Sequence, residues 1–481
     1  MSANDIISDS RLAGFLKRQI QLRQPKNPKL DNLKLCGSQI IKQSGASPAV
    51  FLLSDGENAR FFGHTSCRSA WSCPKCMPIV MAKKGSDIAC AIDALATWYK
   101  LYPFMITFTL PHSKYMTCED SSTILHDCWR MFTKFKKTSN GEYTLRSDVQ
   151  KRNKTYGNAD GAKNEFDKRA VGKKGEKRIY VKKGDAWALC REELNIEHSV
   201  RVYEYTWSEE NGWHPHIHAL FWTKKENFSN GKILSFEKDL LARWWHCAKH
   251  AALKYWNKKF PDKKEENKKA VEDYYTDWRM KSKDGHKSLF ISRDKDDSSK
   301  VDIKKSSYYV VGWSGDSELT RSNYKTAAKG HFTPYQILSM AYENATLIDK
   351  YIPLYLEYCN TTYGRRRVEF SKNGITKIIA KWKKTEEYRV AFKKKVTEKR
   401  DATRKFKVVY WFTEYQWKKI CWLEMTTDEE ILPELLALAK KKDCRAEIDK
   451  LLMAYGIPIT NYNHMLIKHV EEKVFENRMT A

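Results

Sequence analysis

The chain has 481 residues, with 87 Lys and Arg against 59 Asp and Glu, and a formal net charge of +28. With 41% hydrophobic residues, 16 Trp, 25 Tyr and 20 Phe it is no disordered polycation, and 21 Gly with 13 Pro exclude a collagen-like or low-complexity chain. The length suits two or three domains, no apolar run approaches the ~18 residues of a membrane span, and the excess charge points to a polyanionic partner, nucleic acid first.

In chain order, the N-terminal MSANDIISDSRLAGFLKRQ lacks an apolar signal core, so the expected location is the cytoplasm. The segment 1–100 holds a group of clustered cysteines. Eight others (Cys90, Cys118, Cys128, Cys190, Cys247, Cys359, Cys421 and Cys444) read as isolated small hydrophobes. Ile88, Ala91, Ile92, Leu95 and Trp98 recur at helical spacing, predicting a helix over Met81 to Lys100. Phe104 to Leu110 is β-rich and ends at Pro111, a central strand. Thr123 to Lys137 reads as a helix with Ser122 as its N-cap. From Lys151 to Gly184 there are 12 basic and 4 acidic residues with little periodicity, a basic insertion within about 140–190: either a solvated loop or an arm that contacts phosphates. Ser199 to Trp207 and Trp213 to Trp222 read as strands joined by a turn with Asn211-Gly212, a hairpin signal. A helix is expected from about Phe236 to Lys258, charged and mostly irregular chain from Pro261 to Lys305, and helical pattern from Tyr308 onward. No internal repeat is present.

The strongest chemical signal is His214-Pro215-His216-Ile217-His218. On a strand, residues two apart share a face, so His216 and His218 project together while Ile217 turns to the other side. Two neutral imidazoles form half of a divalent metal site, although two ordinary histidines can alternate by chance. Glu204, between Tyr203 and Tyr205 on the preceding strand, falls opposite or diagonal to them if the turn is centred near Glu210 or Asn211. Two His and one carboxylate leave open positions for water and substrate. The plainer reading of Glu204 is a cross-strand partner for a basic residue.

A second cluster is Cys67-x5-Cys73-Pro-Lys-Cys76, with Cys36 upstream. Two thiolates on a tight C-x-x-C turn reach one tetrahedral zinc, and Cys36 and Cys67 complete the set, with His64 in reserve. The rival reading is a redox pair, but no thioredoxin-like βαβ pattern surrounds it. Downstream, Arg365-Arg366-Arg367, Lys381, Lys383, Lys384 and Lys393 to Lys395 alternate with Phe370, Trp382, Tyr388 and Phe392. Cations for phosphates among aromatics for bases suit single-stranded or melted DNA; a solvated basic face is the plain alternative.

Three strings in order, Phe104-x-x-Thr107-Phe108-Thr109-Leu110-Pro111-His112, then Gly212-Trp213-His214-Pro215-His216-Ile217-His218, then Tyr308-Tyr309 with Trp313 and Glu318-Leu319-Thr320, resemble the motifs of rolling-circle plasmid replication initiators. These belong to the HUH endonuclease superfamily, and the likeness spans roughly Cys36 to Arg367. It implies a site in which His216, His218 and Glu204 hold Mg²⁺ or Mn²⁺ against a scissile phosphate while a tyrosine attacks it. The product is a 5′-phosphotyrosine and a free 3′-OH primer, and a later strand is rejoined to the stored phosphate. With Trp313 as anchor the nucleophile is Tyr309, with Tyr308 the alternative and two packing aromatics the plain reading. The third string departs from the family's pattern: Gly312 stands where a lysine is usual, with Lys304 or Lys305 as substitutes. Lys305 also stands where some relatives place a glutamate that activates water for termination. Similar initiators carry cysteines near Cys36 to Cys76, which favours structural zinc.

The expected architecture is α+β: an antiparallel sheet bearing the site with helices on one face. A zinc-bearing segment (1–100) precedes the endonuclease domain (101–330), and a basic helical DNA-binding region (331–481) follows. Expected partners are origin DNA, duplex and single-stranded, and host helicase and polymerase, with no membrane. Two alternatives remain, a single-strand transposase with the same chemistry and a non-catalytic zinc-containing nucleic-acid-binding protein.

Overall fold

The computed structural model describes residues 3–41, 49–134, 136–137, 143–144, 186–229, 231–281, 288–293, 301, 330–390, 406–427 and 429–459. Helices α1 (Ala3–Arg23) and α2 (Pro28–Lys34) are followed by β1 (Ala49–Ser54), β2 (Ala59–Phe62), α3 (Met77–Tyr99) and β3 (Leu101–Thr109). Next come α4 (Cys118–Thr133), a two-residue ladder of β4 (Lys136–Lys137) with β5 (Tyr143–Thr144), and α5 (Ala186–Glu193). The long strands β6 (Ser199–Ser208) and β7 (Gly212–Lys224) precede α6 (Glu237–Lys259), α7 (Lys264–Lys281) and β8 (Leu289–Ile291). Then follow α8 (Pro334–Glu343), α9 (Ile348–Thr362), β9 (Val368–Phe370) and α10 (Ile375–Trp382). The last described elements are β10 (Lys407–Thr413), α11 (Glu414–Thr426), α12 (Ile431–Leu438) and α13 (Arg445–Ala454). The protein is α+β, and both of its larger sheets are antiparallel.

The chain divides into two units, each discontinuous in sequence. One comprises Ala82–Pro334 and Arg366–Lys384 and is built on a five-stranded sheet of order β8-β3-β7-β6-β9. Alternation along its strands sorts side chains by face. Phe108 on β3 packs on Trp129 and Phe132 of α4 and on Trp244 of α6, with ring centroids 4.8–5.2 Å apart. Tyr203 stacks on His126 of α4, and Tyr205 is hydrogen-bonded through its hydroxyl to Ser122 of the same helix at 2.6 Å. Trp244 Nε1 donates to Thr109 O at 2.7 Å. Each such aromatic pair contributes ~1 kcal/mol beyond its burial, so this face is a rigid backing for the strands. Residues one position along, Thr107, Glu204, His216 and His218, point to the opposite face.

The β6–β7 hairpin has Glu209 to Asn211 as its loop, and Gly212 follows at φ +71°. That left-handed conformation, after a three-residue loop, favours glycine. A Cβ at Gly212 would also stand 2.9 Å from Lys114 Cα and 3.0 Å from Ser113 O, so the hairpin tip packs backbone to backbone.

The helix expected from Thr123 starts earlier. Thr117 caps α4 in a capping box with Asp120, and Ser122 lies inside the helix rather than at its end. The S/T-x-x-D spacing satisfies two backbone donors at once, which outweighs Ser122 as a start signal. At the other end Arg243 is buried and donates to the carbonyls of Phe132 (2.7 and 3.0 Å) and Lys134 (3.2 Å), closing the C-terminus of α4. Pro261 to Lys305 was expected to be mostly irregular, yet it contains α7 and β8; the charged α7 packs on α6 through a narrow apolar stripe, buried Val271 and Tyr275, with Tyr275 edge-on to Trp245.

The other unit comprises Met1–Met81, Tyr335–Arg365 and Thr385–Ala481. Its three-stranded sheet, β10-β1-β2, pairs residues more than 350 positions apart: Val50 with Phe412 and Leu52 with Tyr410. Val50, Leu52, Tyr410, Phe412, Trp417, Ile420, Ile431, Leu435 and Ile448 form its core, so both ends of the chain share one apolar interior. A second capping box, Thr413 with Gln416, starts α11 directly after β10. Among the described residues after 331 the chain is helical with two strands, β9 and β10, one in each unit.

Candidate metal centres

The antiparallel register sets Glu204 directly across from His216 and Val202 across from His218. Glu204 Oε2 lies 2.9 Å from Nε2 of His216 and 2.9 Å from Nε2 of His218. Their ligand atoms all lie within 4.8 Å of one another, with the carboxylate buried and the imidazoles partly open. Ligands 2.0–2.1 Å from an octahedral ion stand ~2.9 Å apart along each edge, whereas a tetrahedral ion at the same bond length spreads them to ~3.3 Å. The two Glu204–imidazole distances are compatible with a shared octahedral cation and equally with hydrogen bonds from imidazole N–H groups.

On the outer side of each ring, His218 Nδ1 lies 3.0 Å from Thr107 Oγ1, and His216 Nδ1 lies 3.4 Å from His214 O. With the proton on Nδ1, His218 donates to Thr107 and His216 to the carbonyl, and both Nε2 lone pairs face the carboxylate. This is the ligating tautomer, and an oxygen acceptor behind each imidazole holds the ring in place. With the lone pairs so directed, the three atoms are a set that could hold a divalent cation; with the proton on Nε2 instead, each imidazole donates to the carboxylate. Burial by itself would raise Glu204; facing His216 and His218 outweigh it and hold the carboxyl well below its ordinary range.

Beside this group the rings of His112 and His214 stack at 4.3 Å, nearly parallel. His112 Nδ1 donates to Leu110 O at 3.1 Å. Burial, then the neighbouring imidazoles, pushes His214 well below its usual value, and burial also lowers His112. Both stay neutral at physiological pH, an apolar wall rather than an added charge. Thr107 and His112, which the first motif string contained without a role, are both brought to the site, Thr107 behind His218 and His112 against His214. The alternation of Thr107 and Thr109 along an otherwise apolar strand was the available signal.

The second group is the four cysteines. Cys36 Sγ lies 3.4 Å from Cys76 Sγ and 3.6 Å from Cys73 Sγ, and all four sulfurs, with Cys67, lie within 4.8 Å. Zinc–sulfur bonds of 2.3 Å give tetrahedron edges of ~3.8 Å, while a disulfide closes to ~2.05 Å. Hydrogen bonds from Cys67, then Cys73 and Cys76, push the Cys36 thiol far down toward thiolate. The four residues fit one zinc ion. His64, held in reserve, stands outside that group: its Nε2 lies 3.1 Å from Lys75 Nζ, and burial then Lys75 push it down to about 3.

Tyr308 and Tyr309 lie outside the described residues, as do the basic stretch 151–184 and Lys393 to Lys395. On either side of the tyrosines the described chain is pinned to the sheet region: Val301 bridges Arg293 just beyond β8, and Phe332 bridges Trp207 on β6. Of the cations expected to contact DNA, Arg366, Lys381 and Lys384 are exposed. Arg365 is half-buried, Lys383 pairs with Asp87 at 2.7 Å, and Arg367 is turned inward with 1% exposure.

Among proteins of known name, the chain is similar to one described as "Protein rep" from Streptomyces lividans. The two are 24% identical over 356 residues, 69% of this chain and 66% of that protein, so the chain spans just under two thirds of its relative's length. No protein-family model and no solved structure matches the chain. No helix among the described residues is long and apolar enough to cross a membrane.

Proposed function

We propose that this protein initiates rolling-circle replication by nicking one strand of an origin through a tyrosine. The observation that carries the reading is the triad of Glu204, His216 and His218, whose ligand atoms lie within 4.8 Å of one another on two paired strands. The motif order and the name of the Streptomyces relative agree with it.

Glu204, His216 and His218 would hold Mg²⁺ or Mn²⁺, which would supply positive charge to a non-bridging oxygen of the scissile phosphate and to the transition state. Thr107 and the His214 carbonyl orient the two imidazoles. The Tyr309 phenol loses its proton and attacks phosphorus in line; the bond to the 3′ oxygen breaks, and that oxygen takes up a proton. The strand is left with a free 3′-OH, which a host polymerase extends behind a host helicase, and the 5′ end stays on the tyrosine as a phosphodiester. Attack by a later 3′-OH on that bond rejoins the strand and frees the enzyme. Arg366 and Lys384, with much of the +28 charge, track the backbone phosphates. Cys36, Cys67, Cys73 and Cys76 would hold one zinc ion in a folding role, since four protein ligands leave no open position.

The test is incubation of the full chain with Mn²⁺ and labelled single strands tiled across the DNA flanking its gene. The expected product is an SDS-resistant adduct, lost in Tyr309→Phe and kept in Tyr308→Phe. Absence of any adduct with every strand and divalent ion would sink the reading, and loss in Tyr308→Phe alone would move the nucleophile by one residue.

A further inference from the structure

Two ammonium groups converge beside the four-cysteine pocket. Lys75 lies between Cys73 and Cys76 in sequence, and Lys17 reaches in from α1 with 9% exposure. A Cβ placed on Gly37, the residue after Cys36, would meet Lys75 Nζ at 3.5 Å and Lys17 Nζ at 3.8 Å. Lys75 Nζ lies 3.1 Å from His64 Nε2, a neutral acceptor, and 5.9 Å from the centroid of the Phe61 ring, and neither carries an anionic charge. Burial, then the nearby Lys17, lowers Lys75, so holding both as ammoniums in one partly desolvated place needs anions near them. Glu424 on α11 feels both lysines but supplies one charge at most. Four neutral thiols, or two disulfides, would supply none. Four thiolates around one divalent ion carry a net charge of −2, matching the two ammoniums.

We propose that Lys17 and Lys75 are the counter-cations of a mononuclear tetrathiolate zinc centre, which thereby ties helix α1 to the cysteine knuckle. Sulfurs 3.4 and 3.6 Å apart leave room for one ion and not for a multi-iron cluster. The same peptide reaches the C-terminal part of the unit: Gly37 O accepts from Trp417 Nε1 at 2.9 Å, and Cys421 Sγ lies 3.9 Å away. The charge-balanced centre therefore joins α1, the knuckle before α3, and α11. The lysines also withdraw charge from the sulfurs, which makes the zinc thiolates slow to react with electrophiles.

This inference rests on the zinc reading above and is tested apart from it and from strand cleavage. The full chain is purified without chelator, its zinc is measured by elemental analysis, and release of zinc to a chromogenic chelator is timed after addition of N-ethylmaleimide. The expectation is one zinc per chain in the parent, and release about tenfold faster in Lys17→Met and Lys75→Met but parental in Lys17→Arg. Zinc-loaded Met variants that release at the parental rate would overturn the counter-cation role. A parent that carries no zinc and four freely reacting thiols would overturn the centre itself. If Lys17→Met cannot be recovered while Lys17→Arg is recovered with zinc, the charge is again the requirement, because Met replaces the lysine stem more closely than Arg does. The opposite tolerance overturns the proposal.

Discussion

Thr107→Val tests the site through a residue that would touch neither the ion nor the DNA. Thr107 lies on β3, paired with His218 across the ladder, and its Oγ1 is 3.0 Å from His218 Nδ1. Valine keeps the β-branch, the volume and the backbone hydrogen bonds of a central strand, so only the hydroxyl is lost. The imidazole then loses the acceptor that keeps its proton on Nδ1, and the Nε2–H tautomer, which cannot ligate, competes. Loss of one hydrogen bond costs ~1 kcal/mol, and removal of the partner behind a ligating histidine weakens metal binding ~10- to 100-fold. That range corresponds to ~1.4–2.7 kcal/mol. Calorimetric titration with Mn²⁺ should show this loss, and the Mn²⁺ concentration for half-maximal cleavage should rise by the same factor. Cleavage at saturating Mn²⁺ should stay within ~3-fold of the parent, because uniform weakening of the ion leaves the chemical step intact. Thr107→Ser should restore most of the affinity. An unchanged Mn²⁺ affinity in a folded Thr107→Val protein would refute ligation by His218 through Nε2.

Three further outcomes follow from the geometry. His216→Ala, or chelation of the parent, should reduce cleavage at least ~100-fold while leaving salt-sensitive DNA binding within a few fold, as measured by adduct yield and by fluorescence anisotropy in parallel; equal loss of both would make the histidines structural. Gly212→Ala places a Cβ at φ +71° and 2.9 Å from Lys114 Cα, which should cost ~1–3 kcal/mol and lower the melting temperature by on the order of 5 °C. Glu424 is pushed up from 4.5 to about 7, chiefly by burial. The folded state therefore holds the proton more tightly than the unfolded state between those values. Its stabilising contribution is complete below about 4.5 and lost as pH rises through about 7. Glu424→Gln, which keeps an acceptor for Leu432 N, should gain ~2 kcal/mol over the parent by pH 8 and nothing at pH 4, as read from denaturant unfolding across that range; a difference independent of pH would refute the assignment.

How much of this was legible in the sequence depended on how far apart the interacting residues lie. The β6–β7 hairpin was readable because its two strands are joined by three residues: Asn211-Gly212 sets the turn, the turn sets the register, and the register puts Glu204 across from His216. The helix after Cys76 and the strand at Phe104 were readable from their own periodicity. The start of α4 was misplaced because two polar residues competed as caps, and only Thr117 has an acidic partner three residues on. β1 left no such trace. Its run Ala49–Ser54 is buried on both faces, so it has no alternation, and its partner β10 comes more than 350 residues later. The role of Thr107 has the same cause, since its histidine is 111 residues away.

Charge was the least readable feature of all, because in a chain of +28 a lysine that stabilises a buried site looks like any other lysine. Arg365-Arg366-Arg367 shows why a run of like residues does not act as a unit. Arg367 leads directly into β9, where successive side chains point to opposite faces, and its own carbonyl accepts from Tyr203 N at 3.0 Å. Arg366, one residue earlier, is exposed, so of two adjacent arginines one is offered to a partner and the other is committed to the fold. The same division separates Lys384 from Lys383, which Asp87 already holds. Net charge identifies the class of partner, but which cations meet it is decided residue by residue by the direction the backbone gives each side chain.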